Sequence, residues 1–292
     1  MIASMTENAL KNMLDKHAPR TVSEHVQSLR EIQQTIVLLG LWRSKFFEYA
    51  AFYGGTALRM LYGLDRYSED IDFSLLSPNP RFVLKDHAHF ACRELEAYGF
   101  KVILDEVKTE RQVHSTFIKG ETIRNLLVIE AGKELRDKIP GGQLLKIKLE
   151  VETIPPPGFL TESRYMFNPI PFAIRTYSMP DLFAGKIHAL LCRQWKKRVK
   201  GRDWYDFVWF AGNHPELRLS HLEQRMRQSG DWSRDWKMEK FNLNELLCER
   251  IKSLNLKAAR EDVLPFLRDE ASVAVWSKEF FEQAATRIII VE

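Results

Sequence analysis

A glycine pair at the start of a predicted helix constrains this chain more than any other single feature. Residues 54–59 read Gly-Gly-Thr-Ala-Leu-Arg, and the apolar residues before them are typical of the end of a strand. Gly54 and Gly55 have no Cβ, so the backbone there can approach a ligand closely, and Thr56 is a reasonable N-cap for the helix. Free N–H groups at a helix start are suited to bind phosphate, although no G-K-S/T of a Walker motif follows.

Two aspartates follow on a predicted strand. Residues 68–73 read Ser-Glu-Asp-Ile-Asp-Phe, and alternate residues of a strand share a face, so Asp70 and Asp72 point the same way. Neighbouring carboxylates without a basic partner repel each other, and Mg²⁺ binds carboxylate oxygens together with substrate phosphates. The spacing therefore predicts a site for Mg²⁺ or Mn²⁺, although an isolated pair of this kind is more often plain surface.

A third carboxylate is expected on a second strand. Residues 144–152 alternate between apolar and charged side chains, which is typical of a half-buried strand. Glu150 and Glu152 both lie on the charged face. We take Glu150 as the third acid and Glu152 as the alternative. Taken alone, this strand is better explained as an ordinary sheet edge with a polar outer face.

Basic residues are dense between positions 193 and 203, with Trp195 and Trp204 interleaved. Such a patch neutralises phosphates, and exposed aromatic rings stack on unpaired bases, so RNA binding is one interpretation. A solvated helix end is the other, since cations also favour the C-terminal end of a helix dipole. The residues predicted to bind RNA are Arg193, Lys196, Lys197, Arg198, Lys200 and Arg202.

The chain as a whole is expected to fold into two domains. Its 292 residues are 45% hydrophobic, and a net charge of +4 permits nucleic-acid binding without demanding it. Its 3 cysteines are widely spaced and form no zinc motif. Neither a signal peptide nor a long apolar run is visible, so we expect a cytoplasmic protein with no membrane contact.

Periodicity along the chain suggests where the elements lie. Helices are predicted over residues 22–48 and 82–98, and strands over 101–107, 114–117 and 125–129. Residues 288–291 suit a final strand or a docking segment. The pattern is almost entirely helical from Ser178 onward. We therefore divide the chain into residues 1–175 and 176–292.

Taken together, the motifs resemble those of the nucleotidyltransferase toxins of the AbiEii/AbiGii group, which includes the MenT toxins. The family's first motif is a G-G-S/T-A-L-R turn followed by an S-E-D-I/L-D-F strand, as in residues 54–73. Residues 186–193 and 200–207 are similar to its lysine helix and its K-x-R-D-x-x-D segment. Residues 148–150 fit its intermediate K-x-D/E motif.

The resemblance implies an α+β fold. A DNA-polymerase-β-like nucleotidyltransferase domain, with a mixed sheet and flanking helices, would precede a mainly helical domain. It also implies metal-dependent transfer of a nucleotidyl group from an NTP to an RNA acceptor, often the 3′ end of tRNA. A cognate antitoxin is the expected partner.

Residue roles follow from the same resemblance. Asp70, Asp72 and Glu150 would hold the metal, and Lys186 and Asp203 would complete the catalytic set. Asp203 would orient Lys186 or support the acceptor hydroxyl, while Asp206 would cap a helix or pair with Arg202. The predicted nucleotide-binding residues are Gly54, Gly55, Thr56, Arg59, Ser68 and Lys186.

Two other functions remain open at this point. One keeps the reaction but uses a protein or a small molecule as acceptor. The other is a catalytically silent module that binds RNA or a partner, although retention of both aspartates argues against it.

Overall fold

The chain folds into two compact units. The computed structural model describes residues 2–110, 112–122, 144–193 and 199–292. The first unit comprises Met1–Phe52, Glu69–Pro155 and Ser163–Thr176, and the second comprises Tyr53–Ser68, Pro156–Glu162 and Tyr177–Glu292. The predicted boundary near residue 175 differs from this division at the two short segments 53–68 and 156–162.

Helices and strands alternate in the first half of the chain, and helices dominate the second half. In chain order they are α1 (Ile2–His17), α2 (Val22–Arg43), β1 (Ala50–Tyr53), α3 (Gly54–Tyr62), β2 (Ile71–Leu75), α4 (Leu84–Ala97), β3 (Val102–Leu104), β4 (Lys108–Glu110), β5 (Val113–Thr122), β6 (Leu144–Glu152), β7 (Thr161–Met166), β8 (Phe172–Tyr177), α5 (Met179–Cys192), α6 (Gly201–Asn213), β9 (Glu216–Arg218), α7 (Leu219–Ser229), α8 (Lys240–Lys252), α9 (Leu256–Val263), α10 (Lys278–Thr286) and β10 (Ile289–Val291).

Helix α2 is the main helix of the first unit, and its sequence explains both its start and its packing. Thr21 forms a capping box with Glu24, in which each side chain accepts a hydrogen bond from the other residue's backbone N–H. The helix ends at Arg43, earlier than predicted, and a short 3₁₀ turn over Phe46–Glu48 follows. Gly40 brings α2 close to α4, because a Cβ there would lie 2.5 Å from the Cα of Ala91.

The sheet of the first unit is mixed, as expected for the α+β class. Its strand order is β3-β5-β6-β2-β1-β8-β7, with β4 paired to β5. Strand β6 runs parallel to β2 and antiparallel to β5, so it lies inside the sheet. The interpretation of this strand as a sheet edge is therefore wrong.

The remaining predicted strands are partly confirmed. The strand expected over residues 101–107 is confirmed only as the shorter β3, and β4 follows just beyond that range, whereas the strand predicted at 114–117 extends to become β5. The candidate at 125–129 lies outside the described residues. The C-terminal strand is confirmed, since β10 pairs in parallel with β9.

The second unit is mainly helical, as predicted. Helix α5 packs against α6, where the rings of Phe183 and Phe210 stack at 4.5 Å between centroids. At the start of α6, Gly201 allows close packing on α9, because a Cβ would lie 1.8 Å from the carbonyl oxygen of Ala259. Within the described parts of both units, every helix is too short or too polar to cross a bilayer.

Candidate active site

The predicted acids are half-buried and lie along one face of two neighbouring parallel strands in the first unit. The register sets Asp72 of β2 opposite Glu150 of β6, and Ser74 opposite Glu152. Asp70 precedes β2 directly. The apolar residues of β6 are buried on the other face of the sheet, which keeps its charged residues on the accessible face. Between the two candidates for the third acid, the register thus places Glu150 beside Asp72.

A lysine lies among these acids, which the sequence argument did not take into account. The Lys148 ammonium is 2.7 Å from a carboxylate oxygen of Glu150. Partial burial alone would lower the pKa of Lys148, but the hydrogen bond from its ammonium to Glu150 and the charges of Glu150, Asp70 and Asp72 raise it. Repulsion between the aspartates therefore does not by itself require a metal ion here.

Helix α2 holds the backbone just before the aspartates. The amide of Gln34 donates a hydrogen bond of 2.9 Å to the carbonyl oxygen of Glu69, and Arg30 lies 3.2 Å from the Glu69 carboxylate. Both contacts fix the residue that precedes Asp70. No sequence motif marks Arg30 or Gln34, because their partner is distant in the chain.

The glycine pair begins α3 in the second unit. Gly54 has a φ of +84°, a conformation that favours glycine, and the helix starts at this residue. Thr56 therefore lies buried in the first turn. The prediction that Thr56 is the N-cap is wrong. The N-cap is Tyr53, which provides no side-chain cap, so backbone N–H groups of the first turn point out of the helix end.

Gly55 lies directly against two polar side chains. A Cβ at this position would be 2.8 Å from Ser68 Oγ and 2.9 Å from a terminal nitrogen of Arg66. Only glycine therefore allows Ser68 and the Arg66 guanidinium to lie against the first turn of α3. Two predicted nucleotide-binding residues, Gly55 and Ser68, are thus brought together.

Asp206 of α6 connects this turn to the lysine helix. Its carboxylate accepts two hydrogen bonds of 2.6 Å from Arg66 and lies 2.7 Å from the Lys186 ammonium. Burial alone would raise the pKa of Asp206, but the two cations lower it. Arg66 is 3% exposed and Asp206 is fully buried, so this is an interior ion cluster.

The pairing corrects two sequence predictions. Lys186 pairs with Asp206, whereas Asp203 lies 3.6 Å from Arg193. The Arg202 guanidinium stacks on the ring of Phe266 at 4.1 Å. Spacing within the segment 200–207 could not reveal this choice, because Arg66 comes from a distant part of the chain.

Positive charge is concentrated around Lys200. Burial, together with the charges of Arg193, Arg202 and Lys186 and against the opposing effect of Asp203, lowers its pKa to about 8. Three of the predicted RNA-binding residues, Arg193, Lys200 and Arg202, thus belong to one electropositive region. The other three, Lys196, Lys197 and Arg198, lie outside the described residues.

Arg59 has a local role in the loop after α3. Its guanidinium donates to the carbonyl oxygen of Leu64 at 3.1 Å, lies 3.6 Å from Asp65 and is stacked over the ring of Tyr67. These contacts fasten residues 64–67. Its predicted contact with nucleotide stays a prediction.

The acid face has the donor chemistry for a hard divalent cation. Asp70, Asp72 and Glu150 offer carboxylate oxygens, the ligands that Mg²⁺ and Mn²⁺ prefer. Neighbouring strands lie about 4.8 Å apart, so residues 72 and 150 can direct their side chains to one ion. Glu150 would first have to leave Lys148. The oxygens of the three acids do not all lie within 4.8 Å of one another, so a bound ion would also have to draw them closer. With these adjustments, the donor chemistry of the residues fits a metal site.

Comparisons with known proteins identify the family and the fold. A family model described as nucleotidyl transferase AbiEii toxin, type IV TA system, matches residues 36–286. MenT4, the nucleotidyltransferase toxin Rv2826c from Mycobacterium tuberculosis H37Rv, superposes with a TM-score of 0.59 at 14% identity, covering 95% of this chain and 88% of that chain. JHP933 from Helicobacter pylori gives a TM-score of 0.49 at 16% identity, with coverages of 89% and 90%.

Curated proteins contain no match to this sequence. The structural likeness to MenT4 supports the nucleotidyltransferase fold, in agreement with the mixed sheet and flanking helices. The family match covers most of the chain, including every residue assigned to the acid face and to the ion cluster. The chain therefore belongs to the AbiEii family of nucleotidyl transferase toxins, described for type IV toxin–antitoxin systems.

Proposed function

We propose that this protein transfers a nucleoside monophosphate from an NTP to an RNA acceptor, the 3′ end of tRNA. The observation that carries the proposal is the register of β2 and β6, which sets Asp72 opposite Glu150 on an accessible face. Family membership adds the reaction class and a cognate antitoxin as the partner. The electropositive region around Lys200 supports a polyanionic substrate.

Each cluster receives its own role in this proposal. Asp70, Asp72 and Glu150 hold Mg²⁺ or Mn²⁺, which when bound polarises phosphate oxygens and lowers the pKa of the attacking hydroxyl. The first turn of α3, with Gly54, Gly55 and Thr56, offers N–H groups to phosphates, and Ser68 adds a hydroxyl. Arg59 is proposed to neutralise phosphate as well.

Lys186 is proposed to stabilise negative charge on the triphosphate. Asp206 holds its ammonium at 2.7 Å, which orients the lysine. Asp203 is proposed to support the acceptor side through Arg193, to which it is paired. In this scheme the protein contributes mainly positioning and preorganised charge.

The reaction is tested by label transfer from each of the four NTPs, radiolabelled at the α-phosphate, to total bacterial RNA with Mg²⁺. Labelled species of tRNA size from the wild type, and none from Asp72→Asn, are expected. A labelled protein band without labelled RNA would show that the acceptor is a protein and not RNA. No label with any metal or nucleotide would favour the catalytically silent binding module.

A matched pair of variants tests the assignment of the third acid. Glu150→Gln should reduce transfer by at least about a hundredfold, the usual cost of losing one group that stabilises the transition state. Glu152→Gln, two residues along the same face but opposite Ser74, should reduce it by less than about threefold. If Glu152→Gln instead slowed transfer more than Glu150→Gln, Glu152 would be the third acid.

A further inference from the structure

Three side chains with metal-binding chemistry meet in the second unit, and none of them has a role in the proposed reaction. His188 and Cys192 are four residues apart on α5 and share a helix face, while Asp231 follows α7. One ligand atom from each residue lies within 4.8 Å of those of the other two. Among all residues that the structure describes, this is the one such group of His, Cys, Asp or Glu.

Hydrogen bonds direct these three side chains to a common point. Ser229 Oγ lies 3.0 Å from His188 Nε2 and donates to a carboxylate oxygen of Asp231 at 2.5 Å. The Cys192 thiol also hydrogen-bonds to Asp231. Gly230, with a φ of +83°, reverses the chain between Ser229 and Asp231 and so returns the carboxylate to α5.

We propose that His188, Cys192 and Asp231 bind a Zn²⁺-type transition-metal ion, with water as the fourth ligand. An imidazole nitrogen, a thiolate sulfur and a carboxylate oxygen form a ligand set that suits Zn²⁺, whereas Mg²⁺ prefers oxygen ligands alone. Zn²⁺ binds such atoms at about 2.0–2.3 Å, so the side chains need to close in only slightly. The site would therefore select a different ion from the acid face.

The protonation states of His188 and Cys192 in the metal-free protein are compatible with metal binding. Burial, helped by Arg225, lowers the pKa of His188 to about 4, so its imidazole is neutral and can act as a ligand. Burial and Asp231 raise the pKa of the Cys192 thiol to about 12. The metal would take the place of the thiol proton, which is released to solvent on binding.

Nearby charges are mixed. Arg225 and Arg193 face His188, and Arg225 and Arg250 face Cys192, so these arginines oppose a dication. The guanidinium of Arg250 donates hydrogen bonds to the carbonyl oxygens of Leu190 and Arg193, which hold it at the end of α5. The Cys192 thiolate and the Asp231 carboxylate would together balance the charge of the ion.

A cavity beside the cluster gives the metal a route and leaves space for its water. It has a volume of ≈ 300 Å³ and is lined by Cys192 and Asp231, with Glu249, Arg250 and Met226 among its other walls. Asp231 is exposed, so the site opens to solvent.

The test uses the full chain, stripped with chelator and titrated with Co²⁺ and then Zn²⁺. Co²⁺ is chosen because a thiolate-to-cobalt charge-transfer band reports sulfur coordination directly. One equivalent per chain, with this band, is expected. The titrations are repeated with the Asp72→Asn variant, in which metal binding at the acid face is weakened, so that the remaining binding reports the second site. Absence of the band from the wild type would overturn the proposal.

Variants assign the ligands. Cys192→Ser should abolish the thiolate band, and Asp231→Asn should weaken Zn²⁺ binding by at least about tenfold. Cys248→Ser, which changes the other half-buried cysteine, should leave both unchanged. A band that persists in Cys192→Ser, or is lost in Cys248→Ser, contradicts the assignment.

A thermal melt provides a readout that does not depend on nucleotidyl transfer. Saturating Zn²⁺ should raise the Tm of the wild type by more than that of Asp231→Asn, because a ligand that binds only the folded state stabilises it according to its affinity. Since Asp231 is exposed, the Asn variant should fold normally without metal. An equal rise in both proteins would place the ion elsewhere.

Discussion

At the scale of the residue, losing the Asp206 carboxylate should cost more stability than losing that of Asp203. Asp206 is fully buried between Arg66 and Lys186, so Asp206→Asn leaves two interior cations without their counter-ion. We expect a loss of about 3–5 kcal/mol in the free energy of unfolding, measured by urea denaturation. Asp203→Asn, whose partner Arg193 is half exposed, should cost no more than about 1 kcal/mol. Equal losses would contradict the pairing.

Lys200 should make RNA binding depend on pH. Its pKa of about 8 means that the ammonium loses its proton just above neutral pH, and a neutral amine no longer attracts phosphate. Bound phosphate raises that pKa, so RNA affinity should be about tenfold weaker near pH 9 than near pH 7. Lys200→Arg stays charged over this range and should lack this contribution. Equal pH dependence of the two dissociation constants would exclude Lys200 from binding.

The sequence was most informative where a residue's neighbours along the chain determine its position. Alternation in residues 144–152 placed Glu150 on the charged face, because side-chain direction in a strand is local. The partner of Lys186 could not be predicted in this way. The partner of Lys186 is Asp206 and not Asp203. Asp206 is also held by Arg66, which lies 140 positions away in the chain. Only the folded chain brings Arg66 and Asp206 together.

At the scale of the element, close packing of α2 on α4 depends on Gly40. A Cβ there would lie 2.5 Å from Ala91 Cα and 2.8 Å from the Phe90 carbonyl oxygen. Because these are backbone atoms, they cannot avoid the clash by a side-chain rotation. Gly40→Ala should lower the free energy of unfolding by about 1–3 kcal/mol. Gly212→Ala in α6, where a Cβ meets nothing within 4 Å, should be neutral or stabilising by up to about 1 kcal/mol. Thermal unfolding of both variants provides the comparison.

Helix and strand boundaries were less predictable than their existence. Capping propensity predicts Thr56 as the N-cap of α3, but the positive φ of Gly54 lets the helix begin three residues earlier, with Tyr53 as its N-cap. The location of β6 inside the sheet was missed because it depends on pairing with β2 and β5. Strand pairing is a long-range property, whereas alternation reports only that one face is buried.

At the scale of the whole molecule, the second unit is assembled from three separate segments. Residues 53–68 supply Arg66 to Asp206, and residues 156–162 supply the Leu160 N–H to the buried Asp181 at 3.0 Å. A fragment of residues 177–292 lacks both, so we expect it to show no cooperative unfolding by circular dichroism. The full chain is the reference. A cooperative transition in the fragment would instead support the continuous domain 176–292.

The parallel alignment of Asp72 with Glu150 also has a consequence for synthesis on the ribosome. Antiparallel neighbours can be joined by a tight turn, but parallel neighbours need a long crossover, so the two acids come from well-separated parts of the chain. During translation the acid face is incomplete until β6 has left the exit tunnel. A nascent chain that stalls before that point lacks Glu150 beside Asp72 and, under the proposed function, is harmless to the cell that makes it.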